Sequence, residues 1–182
     1  MASTIKVDEI LDGNGNQFDG SQLGNVGKVL QVHNQVFSGK VYQTMNTTEQ
    51  LVGGIQTSCV AKSSNSKFKI SIRWFGEVDG PWEGIFNIKL NGSRVNSAGN
   101  NLWEGIATAT ISYQGDNGST PEMMNVTTVA SPNLSAGTTV TVGLYYQDSG
   151  SAGMWTNRCF SSAGANNYET GTSEIIIEEI GA

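Results

Sequence analysis

Thr139-Val140-Thr141-Val142-Gly143-Leu144-Tyr145-Tyr146 puts Val140, Val142, Leu144 and Tyr146 on one side of an extended chain and Thr139, Thr141 and Gly143 on the other. A period of two is the pattern of a half-buried β-strand. Downstream the chain turns at Asp148-Ser149-Gly150 and runs through Gly153-Met154-Trp155-Thr156-Asn157-Arg158-Cys159-Phe160 as a second β-segment. It closes with Ser173-Glu174-Ile175-Ile176-Ile177-Glu178-Glu179-Ile180, two residues before the last. Left at a sheet edge, such a β-branched run would template aggregation, so it is expected deep in a sheet.

Upstream, Lys67-Phe68-Lys69-Ile70-Ser71-Ile72-Arg73-Trp74 alternates most cleanly and should bury Phe68, Ile70, Ile72 and Trp74. Residues 85 to 95 read as a hairpin around Asn91-Gly92, since both residues accept positive φ. Further strands are expected over 105 to 113, with Ala107, Ala109 and Ile111 on one side, and over 123 to 129. A short one should end near Cys59, and Val36-Phe37 and Val41-Tyr42 open the series. No stretch sustains a 3.6-residue period over three turns. The composition agrees: 23 Gly are too many for a helical protein, and charged residues make up 14% against roughly 25% in an ordinary soluble domain. The expected fold is all-β, an antiparallel β-sandwich of jelly-roll type.

With 182 residues the chain fits one domain and a small appendage. Gly20, Gly24 and Gly27 break residues 17–35 into short pieces that read as a connector. The expected division is therefore a segment over 1–35 and the sandwich over 36–182. Inside the first part, Ile5, Val7, Ile10 and Leu11 supply a short β-strand with no core of its own. Such a strand suits pairing with a partner's sheet edge. Asp12-Gly13-Asn14-Gly15-Asn16 starts like a calcium loop, but Gln17 stands where glycine is required and Leu23 where a bidentate Glu closes the site. A hairpin turn is the better reading, and no metal is expected.

A net charge of −6 argues against nucleic acid, which needs clustered Lys or Arg. The densest basic group, Lys62, Lys67, Lys69 and Arg73, reads as a solvated sheet face. No apolar run approaches the ~18 residues of a membrane span, so no membrane insertion is expected. Met1-Ala2-Ser3-Thr4 does not begin a secretory leader. Cys59, Cys159 and the single His33 cannot complete a four-ligand zinc site. Both thiols read as small buried hydrophobes, and whether they pair stays open.

Catalysis finds little support. A Ser-His-Asp arrangement would have to use His33, in the glycine-rich connector, and no nucleophile elbow is present. Trp82-Glu83-Gly84-Ile85 recurs as Trp103-Glu104-Gly105-Ile106, which invites a carboxylate pair across a sugar cleft. The plainer reading is two equivalent strand starts, each with Trp on the sheet and Glu in solvent. No phosphate loop or cofactor fingerprint appears, so no cofactor is expected. What remains is surface: Trp82, Trp103 and Trp155, with Glu83 and Glu104, are the candidate contacts for a receptor or a subunit. At least one of these tryptophans should belong to the core.

Two stretches carry a family resemblance. The ending combines a Thr/Val strand, an aromatic-Thr-Asn-Arg step, and Tyr168 with Gly171-Thr172-Ser173 leading into the Ile-rich strand. The opening is Ser3-Thr4-Ile5-Lys6-Val7-Asp8-Glu9-Ile10 before Asp-Gly-Asn-Gly-Asn. Together they resemble bacteriophage fibre and virion structural proteins, those of marine cyanophage-type phages most closely. The resemblance implies a homotrimer with a jelly-roll head similar to the C1q and tumour-necrosis-factor domains. It also implies an N-terminal segment that fastens to other virion proteins, and a head facing outward toward a host-surface glycan. The expected location is the virion. Only about 35 residues precede the head, so the shaft of a long tail fibre is missing. A carbohydrate-binding β-sandwich outside any virus is the alternative.

Overall fold

The computed structural model describes residues 27–79, 84–96, 105–108, 121–160 and 169–182, and those residues form a sandwich of two antiparallel sheets. The first sheet holds β1 (Val29–Phe37), β2 (Val41–Met45), β4 (Lys67–Asp79), β8 (Glu122–Ala130), β10 (Ala152–Thr156) and β11 (Ser173–Ile180). The second holds β3 (Gln50–Val60), β5 (Ile85–Leu90), β6 (Ser93–Arg94), β7 (Ala107–Thr108) and β9 (Thr139–Gln147).

Register reduces these strands to a simpler plan. Arg73 pairs with Asn125 of β8 on one side and Glu174 of β11 on the other. Three residues on, Gly76 pairs with Glu122 of β8 and Thr156 of β10. β11 and β10 therefore share one edge of β4, as a single strand position interrupted by residues 157–172. β1 and β2, which pair β11 and β10 respectively, form a second position interrupted at residues 38–40. The first sheet then runs β1/β2, β10/β11, β4, β8, and the second β3, β9, β5, β6/β7. Counted along the chain, the positions lie in the order 1-8-3-6 over 2-7-4-5.

The alternating runs place the core as the sequence predicts. Val140, Val142, Leu144 and Tyr146 of β9 meet Phe68, Ile70, Ile72 and Trp74 of β4, all of them buried. Ile175 and Ile177 of β11 join them, and β11 lies inside the sheet between β1 and β4. Each such side chain contributes roughly 1.5–3 kcal/mol on burial. Asn91 (φ 49°) and Gly92 (φ 84°) make the hairpin between β5 and β6. Cys59 and Cys159 are both buried, and no disulfide joins them. Burial, followed by the nearby Glu179 carboxylate, pushes the Cys59 thiol up.

Three expectations need correction. The sheet begins at Val29, so residues 29–35 belong to the sandwich rather than to a connector ending before Val36. The alternation is present there but inverted: Gln31, His33 and Gln35 share the inward side with Phe37, while Val32 and Val36 point out. The polar side chains are used at the sandwich rim. Gln31 Nε2 donates to the Val60 carbonyl at 2.7 Å, and His33 Nε2 lies 2.7 Å from Thr57 Oγ1. Second, β3 is long, with a bulge at Gly53 (φ 51°) and Gly54 (φ 73°) that shifts its register against β9. Third, β10 stops at Thr156 instead of running on to Phe160.

Glu179 fastens β11 to its surroundings from inside the sandwich. The side chain is fully buried and accepts from the Lys62 and Ser63 amides at 2.9 and 3.0 Å and from Gln31 Nε2 at 2.6 Å. Burial raises the carboxyl, but these hydrogen bonds, led by the Lys62 amide, outweigh it and hold the group below its ordinary value.

Two predictions follow from this packing. A methyl group on Gly76 would lie 2.1 Å from the Trp155 carbonyl and 2.4 Å from the Trp74 ring. Gly76→Ala should therefore lower stability by about 1–3 kcal/mol in urea unfolding, the usual cost of overpacking. For Glu179, the folded value lies below the unfolded one, about 4.3. Its contribution is thus complete above that pH and is lost as pH falls through the lowered folded value. Glu179→Gln should flatten this acid limb in urea midpoints measured across pH; an unchanged acid limb would count against the clamp.

Candidate functional site

The outward face of the first sheet is the surface that departs from an ordinary solvated face. Its columns follow from strand parity. β1 presents Val29, Val32, Asn34 and Val36, and β11 beside it presents Glu174, Ile176, Glu178 and Ile180. β4 presents Lys67, Lys69, Ser71, Arg73 and Phe75, and β8 presents Met123, Asn125, Thr127 and Val129. Lys69 Nζ lies 2.5 Å from Glu178, and Arg73 lies 3.8 Å from Glu174. Ser71 and Thr127 hydroxyls meet at 3.0 Å. Lys67, Lys69 and Arg73 thus lie on a sheet face, as the sequence suggests, whereas Lys62 lies in the turn after β3; acidic residues of β11 pair with Lys69 and Arg73, and apolar columns flank them.

At the other end of this face an aromatic group forms. Trp155 lies on the outward side of β10, its ring centroid 5.0 Å from Tyr42 of β2 and 5.0 Å from Phe160. Gly153 makes room, because a methyl group there would come within 2.7 Å of the Trp155 ring. Trp155 itself is only 5% exposed, whereas Tyr42 is 52% exposed and Phe160 half-exposed. Beneath them Glu77 is buried, and its Oε2 accepts from the Phe160 amide at 2.6 Å.

Of the receptor, subunit and attachment candidates named from the sequence, only Trp155 falls among the described residues. Trp82, Glu83, Trp103 and Glu104, like Ile5, Val7, Ile10 and Leu11, lie outside the described residues. Trp155 is a buried support, and the aromatic surface beside it belongs to Tyr42 and Phe160, which sequence reasoning missed. The available signal was Gly153 two positions before Trp155, which leaves the ring free to lie flat on the sheet. Trp74 is a core residue, its Nε1 donating to Thr156 Oγ1 at 3.2 Å.

The second sheet turns a polar face outward. Ser58 and Thr141 hydroxyls meet at 2.8 Å, Lys89 and Arg94 both pair with Glu49, and the Lys89 ammonium stands 4.5 Å from the Tyr145 ring centroid. Two small cavities open among the described residues. One of about 210 Å³ lies between the β5–β6 hairpin and the end of β8, and one of about 160 Å³ lies over Ser71, Arg73 and Asn125. Both fall short of the roughly 300–1,000 Å³ of a small-molecule site. Among the described residues no three His, Cys, Asp or Glu side chains are grouped to hold a metal ion.

No family model matches the chain. No curated protein matches it either. Among solved structures, the dimeric latent PorU of Porphyromonas gingivalis aligns over 86% of this chain and 14% of its own, at 8% identity and a TM-score of 0.38. A structure of infectious bursal disease virus, Gx strain, aligns over 84% of this chain and 37% of its own, at 12% identity and a TM-score of 0.33. This chain therefore spans well under half of either neighbour. With both TM-scores below 0.5, neither bears on what the protein does.

Glu122, across from Gly76 and next to the buried Glu77, gives this region a pH dependence. Burial, followed by the Glu77 charge, pushes its carboxyl up to about 7. A raised folded value stabilises fully below the ordinary 4.5, and that contribution is lost as pH rises through about 7. Glu122→Gln should therefore be more stable than wild type at pH 8 and should lose the difference by pH 4, as thermal melts at the two pH values would show.

Proposed function

We propose that this chain is a non-enzymatic structural protein of a bacteriophage particle, with a jelly-roll head that assembles as a homotrimer. The sandwich order 1-8-3-6 over 2-7-4-5 is consistent with the two Greek keys of a jelly roll. The sequence resemblance at both ends supplies the phage assignment, and the segment bearing Ile5, Val7, Ile10 and Leu11 is the part that docks on other virion proteins. A short fibre, a tail-fibre tip or a capsid decoration each accommodates such a head.

One observation carries the structural role: an outward sheet face with apolar columns. A contact protein needs such a face. The head, exposed on the particle, is free to contact a host-surface glycan or another protein.

A carbohydrate-binding sandwich unconnected with a virus is the second reading, and the aromatic group of Tyr42, Trp155 and Phe160 favours it. Half-exposed rings on a rigid support stack on sugar faces at little entropic cost.

Light scattering after size exclusion separates the two. The virion reading expects about three times the 19.3 kDa of one chain. A monomer that binds free sugars, with binding lost in Tyr42→Ala, would instead establish the second reading. Deleting residues 1–20 should leave the head folded yet absent from purified particles; recovery of the truncated chain on virions would remove the docking role.

A further inference from the structure

We infer that β8 is an open edge through which two copies of this chain pair, strand against strand and antiparallel about Val126, so that their first sheets run on as one. The inference stands apart from the homotrimer proposed above and is tested separately from it. Among the described residues β8 pairs with β4 alone, in nine consecutive positions from Phe68↔Ala130 to Gly76↔Glu122, with no shift of register. Its sequence, Glu122-Met123-Met124-Asn125-Val126-Thr127-Thr128-Val129-Ala130, holds no Lys and no Pro, and its one charge stands at the end. Proteins ordinarily blunt an edge with such residues, with bulges or with short strands. The other edges of this sandwich show those devices. β6 and β7 are two residues each, and the β1/β2 position is interrupted at residues 38–40. β3 is bulged at Gly53 and Gly54, and Gln31 and Gln43 reach across to bond its Val60 and Leu51 carbonyls.

The direction of the free main-chain groups on β8 follows from β4. The Phe75 amide donates to Ser173 Oγ and the Phe75 carbonyl accepts from the Asn157 amide, so this residue bonds toward the β10/β11 edge. Successive residues of a strand bond to opposite sides, hence Phe68, Ile70, Ile72 and Trp74 bond toward β8. Their partners Ala130, Thr128, Val126 and Met124 turn their main chains back to β4. Met123, Asn125, Thr127 and Val129 therefore present N–H and C=O groups to the open side. The Asn96 side chain fits this assignment: it donates to the Val129 carbonyl at 2.8 Å, capping only that end of the strand.

A second β8 matches this edge. Turned antiparallel about Val126, the strand sets Met123 opposite Val129 and Asn125 opposite Thr127, and the same pairs recur across the axis. Apolar side chains then meet apolar ones, an amide meets a hydroxyl, and Glu122 stands opposite Ala130, so no like charges meet. All four opposed pairs come from the residues that face the open side, which gives about eight N–H···O=C bonds. A slip of two residues would put Asn125 or Thr127 on the axis and set an apolar side chain against a polar one. Val126 falls opposite its own copy at a non-hydrogen-bonded position, where Cα atoms stand about 4.5 Å apart. The contact is isologous, each copy giving the same residues. About 30 Å of strand by about 10 Å of sandwich depth is well under the ~800 Å² per partner of a stable complex, so pairing rises with concentration.

Light scattering of the full chain over micromolar to millimolar concentrations tests the pairing. Wild type should double its mass as concentration rises, from three chains to six where the homotrimer holds and from one to two where it does not. Failure of the trimer and failure of this contact are therefore read apart. Thr127→Pro removes an edge-facing N–H and leaves the main-chain bonds to β4 in place. Asn125→Lys/Thr127→Lys sets like charges against each other across the axis. Both variants should keep the smaller mass at every concentration, with circular dichroism and melting near wild type. Val126→Cys supplies a second readout. With oxidised glutathione added, the thiols on the axis should join copies in pairs on non-reducing gels, whereas Val32→Cys on β1 should not.

A mass that never doubles overturns the pairing and leaves the edge to an extended segment of another protein. Doubling that survives in both edge variants places the contact elsewhere. Doubling without the Val126→Cys bond overturns the register about Val126.

Discussion

The pairing of β4 with its neighbours on both edges is the constraint on which the rest depends. β4 hydrogen-bonds β8 along one edge and β11 followed by β10 along the other, so it fixes the register of most of the first sheet. β1 and β2 then take their places through β11 and β10. Because side chains alternate, that register also decides which residues face the core and which face outward. A slip of one residue would send Phe68, Ile70, Ile72 and Trp74 into solvent and bring Lys69 and Arg73 inside.

Glu179 adds a polar lock to this apolar arrangement. A carboxylate in the sandwich interior is costly unless every acceptor site is used. Here the Lys62 and Ser63 amides and the Gln31 side chain use it, tying β11 to β1 and to the turn after β3. The interruption of the eighth strand position between Thr156 and Ser173 is the other device that shapes the molecule. It ends β10 just after Trp155 and brings Phe160 back over that ring, which creates the aromatic end of the outward face.

Sequence reading succeeded where one strand carries its own signal. β4 and β9 each alternate large apolar with small, polar or charged residues, β11 carries a β-branched run, and Asn91-Gly92 announces its turn locally. β1 was missed because its inward side chains include Gln31 and His33, whose partners come from β3, more than twenty residues away. Trp155, a candidate surface contact by sequence, is buried instead, because Gly153 clears space for its ring above the sheet.

The sequence by itself determined the class of fold, the principal core strands and the burial of both cysteines. Those properties depend on local periodicity, turn chemistry and composition, which are written along the chain. Only the tertiary structure decided that residues 29–35 join the sheet, that β10 and β11 are one strand in two pieces, and that acidic residues of β11 pair with basic residues of β4 on the outward face. These features arise from the pairing of strands far apart in the chain, and the register between such strands is set by how the whole core packs.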